Sequence, residues 1–201
     1  MKVTDIVALE ALYAQPSEAA LIKVTDHLTA EYRHWIAASR FCILSTIGSE
    51  GTDGSPRGDD GPVVAIPDDR TLLMPDWRGN NRMDSLRNIV RDGRISLLFL
   101  IPGSTTAMRV NGTAHLSVDP ALLAGFARAE GLPRTVIVID IAQVYSQCAR
   151  ALIRADIWQR DDSAGLPSFG DMLRGVKAGF DGAAYDADWP GRAARTMWVD
   201  E

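Results

Sequence analysis

The chain has few cysteines and no long apolar run, and each shortage excludes a class of protein. Cys42 and Cys148 lie in apolar or amphipathic stretches, so two free buried thiols are favoured over a disulfide. The longest apolar run, residues 95–101, is too short to span a bilayer. The first ten residues lack the basic and apolar regions of a signal peptide. We therefore expect a cytoplasmic protein with no membrane partner.

Positive charge and the common nucleotide and metal motifs are also lacking. The net charge of −5 argues against a general affinity for nucleic acid or anionic membranes. No G-x-G-x-x-G follows a strand, and neither a P-loop nor a G-x-S-x-G elbow occurs. His27, His34 and His115 have no metal-ligand spacing and are interpreted as ordinary surface or core histidines. Asp59-Asp60 and Asp68-Asp69 are interpreted as solvated charge and turn residues rather than a cation site.

Hydrophobic periodicity predicts helices at both ends of the chain and strands between them. Helices are expected at 18–24 after the N-cap Ser17, at 29–39, from Asn80 or Asn81 to Gly93, at 119–131, at 147–156 and within 166–180. Strands are expected at 41–47, 63–66, 71–74, 94–101, 108–117 and 135–144, with a short strand around 55–59 inside a Gly-rich connection. Residues 181–201 are expected to form a docked or partly disordered tail.

The short links between these strands predict a mainly antiparallel sheet. About six strands closing into a barrel, with helices at its ends, is the economical architecture. Residues 94–101 are apolar on both sides, which predicts a central strand. We expect N-terminal helices (1–40) packed on a barrel (41–160), followed by a C-terminal helix and tail (161–201).

The segment Arg78-Gly79-Asn80-Asn81-Arg82 is the strongest candidate for a binding site. It lies between a predicted strand end and a helix N-terminus, where free N–H groups and a partial positive charge favour anions. The amides of Asn80 and Asn81 and the guanidinium groups of Arg78 and Arg82 suit a phosphate. A capped helix with surface arginines explains the same residues equally well.

Two further arginines are candidates for the same anion. Arg57, in Ser55-Pro56-Arg57-Gly58-Asp59, is placed beside this phosphate cradle, although a salt bridge to Asp59 also accounts for it. Arg109 alternates out of the core face of its strand, where it either points at an anion or is simply exposed.

From about residue 41 to 117 the chain resembles the pyridoxamine 5′-phosphate oxidase-like flavoproteins, the FMN-binding split barrels. The resemblance rests on the ordered set FCILST, SPRGD, LLMPD, GNNRMDSL, RISLLFLIPG and RVNGTAHLS. Within that family the SPRGD and PDxxGNNRxDSLxNI patterns resemble a group of FMN-dependent enzymes, and CARALIRADIW (148–158) resembles the segment that follows the barrel there.

The resemblance implies a six-stranded antiparallel split β-barrel that binds FMN between the two subunits of a homodimer. Arg82 and Ser85 would bind the FMN phosphate, the strand around Arg57 would lie along the flavin and ribityl chain, and the segment 74–76 would lie against the flavin. This last segment consists of Met74, Pro75 and Asp76.

One departure from the family pattern concerns the substrate. Pyridoxamine-phosphate oxidases proper carry a basic residue shortly after the strand arginine and a C-terminal Arg-x-His. Here the first region reads Gly58-Asp59-Asp60-Gly61, and no Arg-x-His follows Trp158. We therefore expect an FMN-dependent oxidoreductase acting on another small molecule or a nicotinamide donor. The alternatives are a non-catalytic flavin sensor or carrier and a haem-handling split barrel.

Overall fold

The fold is a single curled sheet of six antiparallel strands, seen in a computed structural model that describes residues 2–148 and 150–198. The strands are β1 (Phe41–Gly48), β2 (Gly51–Gly58), β3 (Thr71–Asp76), β4 (Arg94–Leu100), β5 (Ala107–Ser117) and β6 (Thr135–Gln147). Their order is β2-β1-β4-β5-β6-β3, so β2 and β3 are the two edges. This is the predicted split barrel, mainly β with flanking helices.

The central strands β1 and β4 alternate between the core and the outer face, although the residues of β4 are apolar on both sides. In β1, Cys42, Leu44 and Thr46 are buried, and the next strand in the sheet, β4, buries Leu97 and Phe99 in the same way. β4 pairs with both β1 and β5, which confirms the prediction that it is central.

β2 is longer than the sequence predicted. Residues 48–61 were expected to form a connection with a short strand around 55–59, but the whole of β2 pairs with β1 through a tight turn in which Gly48 faces Gly51. Because β2 is an edge strand with one solvated side, it needs no apolar alternation and tolerates Pro56. The prediction missed it for that reason.

The predicted strand at 63–66 is wrong. Only Ala65 pairs with a strand, through two backbone hydrogen bonds of 2.8 and 2.9 Å to Leu73. Val63 and Val64 are both buried although they are neighbours, which an alternating strand does not allow. β3 instead pairs along its whole length with β6.

Eight helices surround the sheet within the described residues. They are α1 (Ile6–Glu10), α2 (Glu18–Ile22), α3 (Ala30–Ala37), α4 (Asp84–Arg91), α5 (Pro120–Ala124), α6 (Arg150–Ala155), α7 (Phe169–Val176) and α8 (Gly182–Arg195). Ser17 caps α2 as predicted, and Thr29, expected as the first helical residue, is instead the N-cap of α3. α5 ends at Gly125 rather than Gly131, and Gln147 belongs to β6 rather than to the following helix.

The start of α4 also differs from the prediction. Neither Asn80 nor Asn81 caps it: the N-cap is Met83, in the left-handed region at φ 59° and without a side-chain capping bond. Gly93 follows the C-cap with φ +79°, as expected for the residue that ends a helix. The cradle therefore precedes the helix instead of forming its first turn.

The N-terminal region is joined to the sheet. Thr25 pairs with Val144 of β6, and Ile36 of α3 is fully buried in the core beside Tyr32 and Trp35. Cys42 is buried, whereas Cys148 is exposed, contrary to the expectation for that thiol. Within the described ranges, no helix has the length and apolar character needed to cross a membrane.

The expected C-terminal tail is mostly helical. α8 runs through the expected tail and packs on α7, where the backbones of Gly170 and Gly182 approach too closely for a side chain on either. Residues 199–201 of the expected tail lie outside the described residues.

Candidate functional site

A cavity of about 780 Å³ lies between the two edge strands of the sheet. Its walls come from β2, the end of β3, the segment 77–83, the start of α4 and the start of β6. Concave sites of this volume are typical of small-molecule and cofactor binding. The open edge of the barrel therefore provides the candidate site.

Nine of the ten predicted cofactor-binding residues line this cavity. They are Arg57, Met74, Pro75, Asp76, Arg78, Asn80, Asn81, Arg82 and Ser85. Arg109 does not line it: its guanidinium group lies 5.8 Å from the ring centre of Tyr145, its partner on β6. The fold thus brings Arg57 together with the stretch 74–85 and leaves Arg109 on another surface.

An ion pair connects the two edges of the sheet beside the cavity. Arg57 of β2 donates from Nη1 to Oδ1 of Asp76, at the end of β3, over 2.5 Å. Both side chains are largely buried, at 19% and 13% exposure. The alternative proposed from the sequence, a salt bridge from Arg57 to Asp59, is wrong because Asp59 binds other groups.

Two buried polar atoms in the cavity wall have no hydrogen-bond partner among the described residues. They are Nε of Arg57 and Oγ1 of Thr135. Thr135 lies directly opposite Asp76 in the β3–β6 pair, so both atoms belong to the region of the edge-to-edge ion pair. Buried donors and acceptors are costly to leave unsatisfied, and a polar ligand in the cavity would satisfy them.

The phosphate cradle is bent and rich in local contacts. Asn81 and Met83 both have left-handed backbone angles, with φ of 61° and 59°. Arg82 is 74% exposed and donates from Nε to Asp84 over 2.8 Å. Arg134 reaches the same segment from the start of β6, with Nη1 3.3 Å from Oδ1 of Asn81. Positive groups therefore approach the cradle from two parts of the chain.

Ser85 is buried and already engaged. Its hydroxyl donates to the carboxylate of Asp53 on β2, while Asn88, one turn later, donates from Nδ2 to Oγ1 of Thr46 over 3.1 Å. These two bonds fix α4 against the β1–β2 hairpin. A carboxylate beside Ser85 was not anticipated from the sequence.

The opposite end of the cavity is built around Trp77 and Asp59. The indole Nε1 of Trp77 donates to Oδ2 of Asp59 over 3.2 Å, and the Asp59 side chain is only 6% exposed. Asp59 also accepts a hydrogen bond from Arg128, which in addition pairs with Asp60. The interpretation of Asp59 as solvated charge is therefore wrong.

Sequence reasoning missed five lining residues that the geometry makes prominent. They are Asp53, Asp59, Trp77, Arg134 and Thr135. Trp77 stands inside the recognised segment and was identifiable as a bulky neighbour of the cradle, whereas Arg134 and Thr135 come from a distant strand start with no local signal. Within residues 2–148 and 150–198, no group of three or more His, Cys, Asp or Glu side chains is arranged to hold a metal ion.

A family model described as pyridoxamine 5′-phosphate oxidase matches residues 28–148, more than half of the chain. The chain belongs to the pyridoxamine 5′-phosphate oxidase family. The matched region contains all six strands and both edges of the cavity. Comparison with curated proteins finds no match.

Solved structures of other proteins have the same barrel fold as this chain. HupZ of Group A Streptococcus is 18% identical, and the match covers 60% of this chain and 94% of HupZ with a TM-score of 0.50. A protein of Lactobacillus delbrueckii assigned to the pyridoxamine 5′-phosphate oxidases is 23% identical, covering 60% of this chain and 95% of the other with a TM-score of 0.50. These similarities establish the common fold.

Proposed function

We propose that the protein binds FMN in the cavity between its two edge strands and acts as an FMN-dependent oxidoreductase. The observation that carries the proposal is the convergence of three separate segments, with their arginines, on one cavity whose wall holds two unsatisfied buried polar atoms. Membership of the pyridoxamine 5′-phosphate oxidase family supports a flavin as the ligand.

The residues fit FMN in two parts of the cavity. Arg78, Arg82 and the amides of Asn80 and Asn81 provide the donors that a phosphate accepts. The unsatisfied Nε of Arg57 is available to a polar edge of the ligand. The contact between Ser85 and Asp53 opposes a phosphate at Ser85, so we assign the phosphate first to the arginines.

The redox chemistry would be that of the bound FMN, and the protein would supply binding and orientation. Asp76 holds the Arg57 side chain at the cavity wall, and Asp59 holds the Trp77 ring. Because these carboxylates are engaged by donors, we assign them to positioning and nominate no catalytic acid or base.

We infer that pyridoxamine 5′-phosphate is not the substrate. The residues after Arg57 bring the Asp59 carboxylate into the cavity wall, where a phosphate dianion would meet a like charge. In steady-state assays with pyridoxamine 5′-phosphate and oxygen, kcat/KM should stay below the ordinary enzyme range, which is on the order of 10⁴ M⁻¹s⁻¹ or more. Turnover in that range would refute this inference.

We also propose a homodimer with FMN between the subunits. The family resemblance and the strongly apolar strands β4 and β6 support it, because a small barrel cannot cover all such faces alone. Light scattering at micromolar concentration should give about twice the 21.8 kDa chain mass. A monomer with FMN bound would contradict this arrangement.

The decisive experiment measures FMN and riboflavin affinity in wild type and Arg82→Ala. The visible spectrum of the purified protein should be that of a flavin. Arg82→Ala should weaken FMN binding about tenfold. This is the lower range for a charge-assisted hydrogen bond, because Arg82 is largely exposed. Riboflavin lacks the phosphate and should bind both proteins equally.

Arg91→Ala is the matched control for that experiment. Arg91 is also an arginine of the α4 region, but it pairs with Glu50 outside the cavity lining. It should leave FMN binding unchanged. If Arg82→Ala weakens FMN and riboflavin binding equally, Arg57 or Arg78 is the phosphate-binding residue instead of Arg82. A Soret band in place of a flavin spectrum would overturn the proposal.

Turnover separates the enzyme from a flavin carrier or sensor. Anaerobic NADH or NADPH should bleach the bound flavin, and candidate acceptors should restore its absorbance within the time of a catalytic cycle. A flavin that stays oxidised with every nicotinamide and substrate donor would support the non-catalytic alternative.

A further inference from the structure

Arg128 contacts two tryptophans at the Trp77 end of the cavity. Its guanidinium carbon is 3.9 Å from the ring centre of Trp198 and 5.1 Å from that of Trp77. The two indoles also meet edge to face, with centroids 5.5 Å apart. Cations over indole faces are attracted by the ring quadrupole. We call Trp77, Arg128 and Trp198 the tryptophan clamp.

Carboxylates fix the clamp from the side of β2. Arg128 donates from Nη1 and Nη2 to Asp60 over 3.0 and 2.7 Å, and from Nη2 to Asp59. These bonds orient the guanidinium plane while its faces remain available to the indoles. Arg128 itself is held by a tight turn in which its N–H and that of Gly131 bond to each other's carbonyl groups.

The clamp attaches the chain at Trp198 to the rim of the cavity. The N–H of Arg78 donates to the carbonyl oxygen of Trp198 over 3.1 Å, so the backbone there joins the segment that follows β3. Trp77, Arg78 and Asp59 all line the cavity, whereas Trp198 and Arg128 contact them without lining it. α8, which leads to Trp198, has α7 as its main packing partner.

We propose that the C-terminal segment ending in Trp198 is a strap whose docking in the tryptophan clamp and ligand binding in the cavity stabilise each other. The strap acts through Trp77 and Arg78, which its contacts hold in position, and Trp198 is therefore a positioning residue. The proposal rests on the proposed function in taking FMN as the ligand. Coupling of this kind is reciprocal: whatever docking contributes to FMN affinity, FMN contributes to docking.

The chain provides a matched control in α8. Arg192 lies 5.3 Å from the ring centre of Trp189, a second arginine–tryptophan pair in the same C-terminal region. Neither residue lines the cavity. Trp189→Ala therefore removes the same kind of ring and cation contact without touching the clamp.

The experiment compares FMN affinity in wild type, Trp198→Ala, Trp198→Phe and Trp189→Ala. Trp198→Ala should weaken FMN binding by about fivefold or more, the lower range of measured couplings between sites. Trp198→Phe keeps an aromatic face for Arg128 and should recover most of the affinity. Trp189→Ala should bind FMN like wild type.

Limited trypsin cleavage tests the reciprocal effect. We expect cleavage after Arg195, at the end of α8, to be faster when the strap is released. FMN should therefore slow this cleavage in wild type, by the same factor that docking contributes to FMN affinity, and should not slow it in Trp198→Ala. Cleavage after Arg174 in α7 is the internal control and should not respond to FMN.

The two hypotheses fail differently. If wild type does not bind FMN, the proposed function falls and the strap proposal falls with it. If wild type binds FMN but Trp198→Ala and Trp189→Ala bind it equally, or if FMN protects Arg174 as much as Arg195, only the strap proposal is overturned.

Discussion

The ion pair between Arg57 and Asp76 should stabilise the open side of the barrel. It joins edge strands that have no backbone hydrogen bonds to each other in the sheet order, and both side chains are mostly shielded from water. A hydrogen bond between charged groups contributes about 1.5–3 kcal/mol, and removing one partner of a fully buried pair costs about 3–5 kcal/mol. For this partly buried pair we expect Asp76→Ala to lower the free energy of unfolding by about 2–3 kcal/mol.

The loss arises mainly from the charge that is left behind. In Asp76→Ala the Arg57 guanidinium stays partly buried, and its Nε already lacks a partner. The double variant Arg57→Met with Asp76→Leu removes both charges and should therefore be more stable than Asp76→Ala alone. For a chain of this length, the loss in Asp76→Ala corresponds to a melting temperature lower by about 4–12 °C.

Urea unfolding of the flavin-free protein measures these differences without a contribution from the ligand. The exposed pair Arg160 and Asp162, 2.7 Å apart, is the matched control, and Asp162→Ala should leave the urea midpoint nearly unchanged because water screens this pair. If the effects of the single substitutions Arg57→Met and Asp76→Leu simply add in the double variant, the two side chains are not coupled and the reasoning is refuted.

Three further predictions follow from the packing and the titration of single residues. Gly112→Ala places a Cβ 2.0 Å from the Asp140 carbonyl oxygen at the bulge in the β5–β6 pair. In urea unfolding this variant should lower the free energy of unfolding by about 1–3 kcal/mol. Gly54→Ala, whose Cβ enters open space, should lower it much less. Burial raises the pKa of the Cys42 thiol to about 12, so one thiol per native chain, Cys148, should react with Ellman's reagent at pH 8, and two after unfolding. The hydrogen bonds from Arg128 lower the pKa of Asp60 from 3.8 to about 2. Any stability from this pair is therefore present above pH 3.8 and lost as the pH falls through 2, and an NMR titration of Asp60 with a midpoint near 3.8 would contradict the pairing.

Local patterns were sufficient for the elements whose stability is local or fully buried. β4 and β6 are apolar enough to be recognised as strands, and Ser17 and Thr29 cap their helices through bonds to residues three positions later. Nine of the ten candidate site residues chosen from the ordered motifs line a single cavity. Each of these features depends on residue types within one short segment.

The missed features depend on partners outside their own segment, namely the neighbouring strand for β2 and more distant parts of the fold for the others. β2 has no strand pattern of its own and exists because it pairs with β1, while Val63 and Val64 are buried by the tertiary fold despite their strand-like composition. The partner of Arg57 was mistaken for the same reason. Asp59 is two residues away in the sequence, but the curvature of the sheet brings Asp76, on the opposite edge, to the guanidinium group.

The amino-acid sequence by itself determined the barrel class, the family and the identity of the cradle residues, because alternation, turn chemistry and ordered motifs are written in neighbouring residues. Only the tertiary structure decided that the cradle precedes α4, that Ser85 faces Asp53, and that Arg128 joins Trp77 to Trp198. Such contacts join residues up to 121 positions apart in the chain, from Trp77 to Trp198. Closing a loop of that length leaves no local signature, and the curvature of the whole sheet selects which side chains meet.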